Sequence, residues 1–187
     1  MGGHPCGEEA SQITVESIIK GFEKDLGQSK NPLPYFDAAN KRVLATKKGS
    51  GTTLVVAEVY NNCVRFYNVG DSLGMLVGGK GKIKAKTLEQ NAFGYGTESG
   101  MLSSTSSNRQ TYGSLLTNYV GMNHMHIDVS IEQPLATRDK ILLMSDGIGD
   151  YVNFDKLSIC DNPLDLCNNI VNEAKDKMAK AKPDDMA

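Results

Sequence analysis

Apolar residues recur at helical spacing over residues 8–26, where Val15, Ile18, Ile19, Phe22 and Leu26 form one stripe and Gly27 supplies a stop. Pro32 and Pro34 break the chain before a second amphipathic segment, 35–47, built on Phe36, Ala39 and Val43. The opening therefore reads as a helical hairpin. The texture then changes. Thr52 to Tyr60 is rich in β-branched residues, Asn61-Asn62 is a turn pair, and Cys63 to Val69 alternates again, which predicts a β-hairpin. Leu73 to Val77 and Ile83 to Thr87, joined by a Gly- and Lys-rich turn, extend the prediction to a four-stranded antiparallel meander. Residues 88–113 are polar and aperiodic and read as a long functional loop. A helical turn at 114–120, strands at 125–132 and 140–145, and a helix at 163–181 opened by Asn162-Pro163 complete the pattern. A helix pair, strands, then strands and a helix imply an α+β fold rather than a βαβ series.

Composition narrows the classes. A chain of 187 residues suits one domain, 1–187, with a single substantial core. A formal net charge of -2 and a pI near 5.9 argue against a nucleic-acid or anionic-membrane partner. Apolar runs are too short for a membrane span, and no leader pattern opens the chain, so the expected location is cytoplasmic. Cys6, Cys63, Cys160 and Cys167 lack zinc-ligand spacing and read as reduced, mostly buried thiols.

The chemistry concentrates at strand ends. The apolar run Ile141 to Met144 predicts a short buried strand that stops at Ser145-Asp146-Gly147, where the glycine is expected to permit a tight turn. The hairpin's second strand likewise runs into Gly70-Asp71-Ser72, and Asp184-Asp185 lies near the C-terminus. Carboxylates at the mouths of rigid strands suit a hard divalent cation. Alone, each Asp beside Gly or Ser is equally a turn residue hydrogen-bonding its own loop. Asp150 reads as a helix-start or surface residue beside the same region. His124 and His126, without acidic or thiol companions, read as surface or packing residues, and Lys80 to Lys86 as the solvent face of a strand.

Taken in order, Met1-Gly2-Gly3-His4, Gly70-Asp71-Ser72, Ser145-Asp146-Gly147 and Asp184-Asp185-Met186-Ala187 resemble motifs of the bacterial metal-dependent serine/threonine protein phosphatases of type 2C, the PPM family. Thr117-Asn118-Tyr119-Val120-Gly121 and Pro134-Leu135-Ala136-Thr137-Arg138-Asp139 are similar to further segments of it. The resemblance implies two antiparallel β-sheets in a sandwich flanked by helix pairs. It also implies a Mn²⁺ or Mg²⁺ centre that hydrolyses phosphoserine and phosphothreonine in a phosphorylated protein substrate, opposite a cognate Ser/Thr kinase. It assigns Asp71, Asp146 and Asp184 to the metals, sets the backbone of Gly2, Gly3 and Gly147 beside them, and leaves His4 as a candidate proton donor. The loop at 88–113 corresponds to the flap over the site.

The family's metal-bridging Asp-Gly, which would precede Met1, is missing, as are strands beyond both ends. The expectation is a domain incomplete at its N-terminal and C-terminal strands and weakly active or inactive, with self-association through unpaired sheet edges. A non-catalytic pseudophosphatase that binds a kinase or phosphoprotein is the alternative. An unrelated α+β domain whose carboxylates cap turns is a third reading.

Overall fold

The computed structural model describes residues 5–24, 31–104, 106–154 and 162–180. Two helices, α1 (Gly7–Lys24) and α2 (Leu33–Ala45), precede the hairpin β1 (Leu54–Tyr60) and β2 (Cys63–Val69). There follow β3 (Leu73–Val77), β4 (Ile83–Lys86), α3 (Ala92–Glu98), α4 (Ser106–Tyr112), β5 (Asp128–Val129), β6 (Gln133–Pro134), β7 (Lys140–Met144), α5 (Asp146–Gly149) and α6 (Pro163–Lys180). No helix among the described residues is long and apolar enough to cross a membrane.

The strands form two antiparallel sheets, one ordered β1-β2-β5 with β6 also on β2, the other β4-β3-β7. Alternation of side chains along each strand assigns them to three apolar layers. On β2, Tyr67 and Val69 face α1 and α2, packing on Ala10, Ile18, Phe36, Ala39 and Val43. Val64 and Phe66 point the other way, against Leu76 in the layer between the sheets. On β3, Met75 and Val77 turn outward onto Leu166, Ile170 and Ala174 of α6. The result is the expected α-β-β-α stack of an α+β fold.

Several expectations are corrected. The predicted meander is split: β2 and β3 do not pair, because Gly70, at φ +102°, turns the chain from one sheet into the other. Residues 88–113 hold two short helices instead of an aperiodic loop. Gly94 and Gly96 hide α3 from propensity, yet its start is capped by Asn91, whose Oδ1 accepts from the Gly94 amide at 2.7 Å. The turn expected at 114–120 is extended chain that bridges Leu116 to Asn91 and Val120 to Thr52. The strand expected at 125–132 shrinks to β5, because the Ser130 hydroxyl takes the Phe66 amide at 2.9 Å and interrupts the ladder before β6. β7 is an outer strand, so of its apolar run only Leu142 is buried. Cys6 and Cys167 are free but exposed, against the buried thiols expected, and Cys160 lies outside the described residues.

The sheets approach closely where β3 carries no side chain. A Cβ on Gly74 would lie 2.7 Å from Phe66 and 3.1 Å from Val55. Gly74→Ala is therefore expected to overpack the central layer and lower unfolding free energy by about 1–3 kcal/mol, read from urea denaturation.

Candidate functional site

Asp71 and Asp146 are brought together by strand register. β3 and β7 pair antiparallel with Leu73 opposite Met144. Two residues back along the chain from Leu73 stands Asp71, and two residues on from Met144 stands Asp146. The two carboxylates thus meet at one end of the second sheet, one on the turn from β2, the other opening α5.

Buried amides hold the Asp71 turn. The Gln90 side-chain oxygen accepts from the Gly70 amide at 2.6 Å and from Asn118 at 2.5 Å, while the Asn68 amide donates to the Gly70 carbonyl at 2.9 Å. Ser72 and Thr53 share a hydroxyl hydrogen bond of 2.8 Å beside it. A Cβ at Gly70 would sit 2.5 Å from the Thr53 side chain, so the turn admits only glycine there. At the other end, Asp146 accepts from the Gly147 amide at 2.8 Å. Gly147 itself lies in the first turn of α5 and has no positive φ, so β7 runs straight into a helical turn where a glycine-dependent tight turn was expected.

Burial and the neighbouring Asp146 charge push the Asp71 pKa up to about 6, although the Asn91 side chain hydrogen-bonds the carboxylate. A buried carboxylate whose charge is disfavoured by a second one beside it, at a preformed turn, fits an oxygen ligand of a hard divalent cation. Among the described residues, however, no group of three His, Cys, Asp or Glu side chains is placed to hold a metal. Asp184, Gly2, Gly3 and His4 lie outside the described residues.

A second, charge-compensated cluster adjoins this pair. Arg109 of α4 grips both oxygens of buried Glu89 at 2.9 Å, reaches Asp150, and lies over the Phe93 ring at 4.4 Å from its centre. Lys86 adds a contact to Glu89 at 2.9 Å. Burial works against the ionised Glu89 carboxyl, but Arg109 and Lys86 outweigh it and hold its pKa below the usual carboxylate value. Burial raises Asp150 despite the nearby guanidinium. Asp150, read from sequence as a helix-start or surface residue, instead follows α5 and is fixed by Arg109. His126 meets the Tyr95 hydroxyl at 3.3 Å and takes no part in either cluster.

Both clusters open on a cavity of about 820 Å³. Its polar wall carries Asp146, Asp150, Arg109 and Lys86, and its apolar wall includes Met75 and Val152. Sequence reasoning missed Glu89 and Arg109. Their one signal was an acidic and a basic residue within a segment already marked as functional by its length and polarity.

Two outcomes are expected. Arg109→Ala strands the buried Glu89 with only the partly exposed Lys86, and should cost about 2–4 kcal/mol of stability in urea unfolding. The raised Asp71 pKa means that the metal-free folded state holds this proton more tightly than the unfolded chain does. Stability from this group is therefore complete below the ordinary carboxylate pKa and is lost as pH rises through about 6. Asp71→Asn should accordingly unfold at higher urea than the wild type at pH 7.5, by about 1 kcal/mol after allowance for partial exposure, with the gap closing near pH 4. Equal urea midpoints at both pH values would contradict the assignment.

No family model matches the chain, and no curated protein matches it. Solved structures do. The chain aligns with the serine/threonine phosphatase Stp1 of Staphylococcus aureus at 24% identity and TM-score 0.82, covering 96% of this chain and 76% of that one. The Mycobacterium tuberculosis phosphatase PstP aligns at 22% and TM-score 0.74, covering 93% and 78%. The PstP catalytic domain in complex with two manganese ions aligns at 22% and TM-score 0.72, covering 93% and 77%. At these identities the likeness establishes the fold: this chain is built on the sandwich of the bacterial serine/threonine phosphatases.

Proposed function

We propose that the chain is a protein phosphatase domain of the PPM type, acting on phosphoserine and phosphothreonine with Mn²⁺ or Mg²⁺. The observation that carries this reading is the meeting of Asp71 and Asp146 at the mouths of two strands, beside a cavity, on the scaffold of known phosphatases. Asp71 and Asp146 would hold the metal, with Asp184 as a third ligand. When bound, such a cation lowers the pKa of water and balances the charge of a phosphoryl group. The chain's own residues do the positioning: the Gln90, Asn68 and Asn118 amides fix the Asp71 turn, and Arg109 ties α4 to Glu89 and Asp150 at the cavity wall. The partners would be a phosphorylated protein and a cognate Ser/Thr kinase, in the cytoplasm.

Turnover by the 187-residue chain is expected to be weak or absent. Divalent affinity rises with the number of charged ligands, and only two carboxylates converge among the described residues. A non-catalytic module that retains the sandwich and docks a phosphoprotein or kinase is the second reading, favoured by the same shortage of ligands. Calorimetric titration with Mn²⁺ should give saturable weak binding that Asp146→Ala abolishes. Family-typical hydrolysis of a phosphopeptide would overturn the weak-turnover proposal, and binding that persists unchanged in Asp146→Ala would overturn the metal assignment.

A further inference from the structure

Strand pairing alone does not set the distance between Asp71 and Asp146. The β3–β7 ladder ends at Leu73 opposite Met144, and each aspartate stands two residues beyond that last pair. The helix that Asp146 opens, α5, is a single turn, and Ser145 gives it no side-chain cap. A lone turn has little stability of its own, so its contacts decide where Asp146 rests. Gly149 packs on Leu73 so closely that a Cβ there would lie 2.5 Å from it, and Ile148 joins the apolar layer beneath α6. A further hold is polar, at Asp150.

The segment 89–91 holds the other carboxylate. The Gln90 backbone amide donates to the Gly70 carbonyl at 3.0 Å while the Gln90 side chain accepts from the Gly70 amide, so one residue engages both backbone groups beside Asp71. Asn91 hydrogen-bonds the Asp71 carboxylate itself. Glu89 precedes them both, and Arg109 grips its two oxygens. The same guanidinium reaches Asp150, whose backbone amide donates to the Asp146 carbonyl at 2.9 Å. Arg109 therefore stands between the support of Asp71 and the turn that carries Asp146, with only 20% of its side chain exposed.

The bidentate pair with Glu89 would by itself fasten α4. The added contact with Asp150 joins a third segment, which suits a planar fork with donors on several edges and does not suit a lysine ammonium. We propose that Arg109 is a positioning residue, which fixes the separation of Asp71 and Asp146 by tying the 89–91 segment to α5. The tie is independent of the phosphatase reading, and only the claim that a cation meets this separation rests on it.

Arg109→Lys conserves the charge and removes the fork, so its effects are not those of net charge. The first readout is residue-resolved amide exchange of the metal-free full chain, under conditions where circular dichroism shows wild type and variant folded. Exchange at Gly70, Gly149 and Asp150 should quicken at least about threefold while the β1–β2 hairpin keeps its wild-type rates, as a local opening requires. Asp150→Ala, which keeps the Glu89–Arg109 pair, should quicken Gly149 and position 150 and spare Gly70. The second readout is Mn²⁺ affinity, from the electron paramagnetic resonance of the free ion. Outer support of metal ligands is commonly worth about 10- to 100-fold in affinity, so Arg109→Lys should weaken binding about tenfold. Exchange that quickens in α4 alone or everywhere alike, wild-type protection at Gly149 and position 150 in Asp150→Ala, or unaltered Mn²⁺ affinity in Arg109→Lys would each overturn the proposal. A wild type that binds no Mn²⁺ would instead remove the metal from the phosphatase reading, and exchange alone would then decide the role of Arg109.

Discussion

The pairing of β3 with β7 governs the molecule. Its register fixes where the turn after β2 and the start of α5 come to rest, and so where Asp71 and Asp146 meet. The same pairing fixes which side chains of β3 and β7 face the first sheet and which face α6, because a slip of one residue would invert every side chain. Gly74 sits within this pair, opposite Leu143, and lets Phe66 approach the backbone. Core packing and site geometry therefore share one constraint.

Around that frame the charged groups divide into two kinds. Glu89 and Asp150 are matched by Arg109, which also rests on an aromatic face, so this cluster is complete without any added ion. Among the described residues Asp71 has no such cation, and its carboxyl is pushed up by burial and by Asp146. Satisfied charges fasten the short helices α3 and α4 to the sandwich, and Asp146 stands on the same cavity wall as Arg109 and Asp150. The division explains why a polar, glycine-containing stretch with poor helix propensity is ordered: its anchors are an Asn91 cap and a buried ion pair rather than an apolar stripe.

Much of this was legible in the residues. The spans of β2 and β3 were read residue for residue, and both long helices at the chain's ends within two residues at their boundaries, because their periodicity comes from burial on one face. Asp71 and Asp146 stood out as strand-end carboxylates, although only register could show that they are neighbours. What was hidden depended on contacts distant in sequence. α3 needs a cap and an ion pair, Ser130 replaces a ladder bond with its side chain, and the partition of one apparent meander into two sheets turns on a single glycine. The burial of β7 was overread, because an apolar run reports local hydrophobicity and not whether a neighbouring strand covers it.

The residues that register together are far apart in the chain. The β1–β2 hairpin closes through two residues, whereas β3 must wait for β7, beyond the entire α3–α4 region, and long loop closures are slow. The Asp71–Asp146 pair therefore comes into being only when β3 and β7 have paired, a closure as long as the one that joins β2 to β6. The two aspartates flank that long-range pairing, so a cation held between them would tie β3 to β7 and oppose their separation on unfolding.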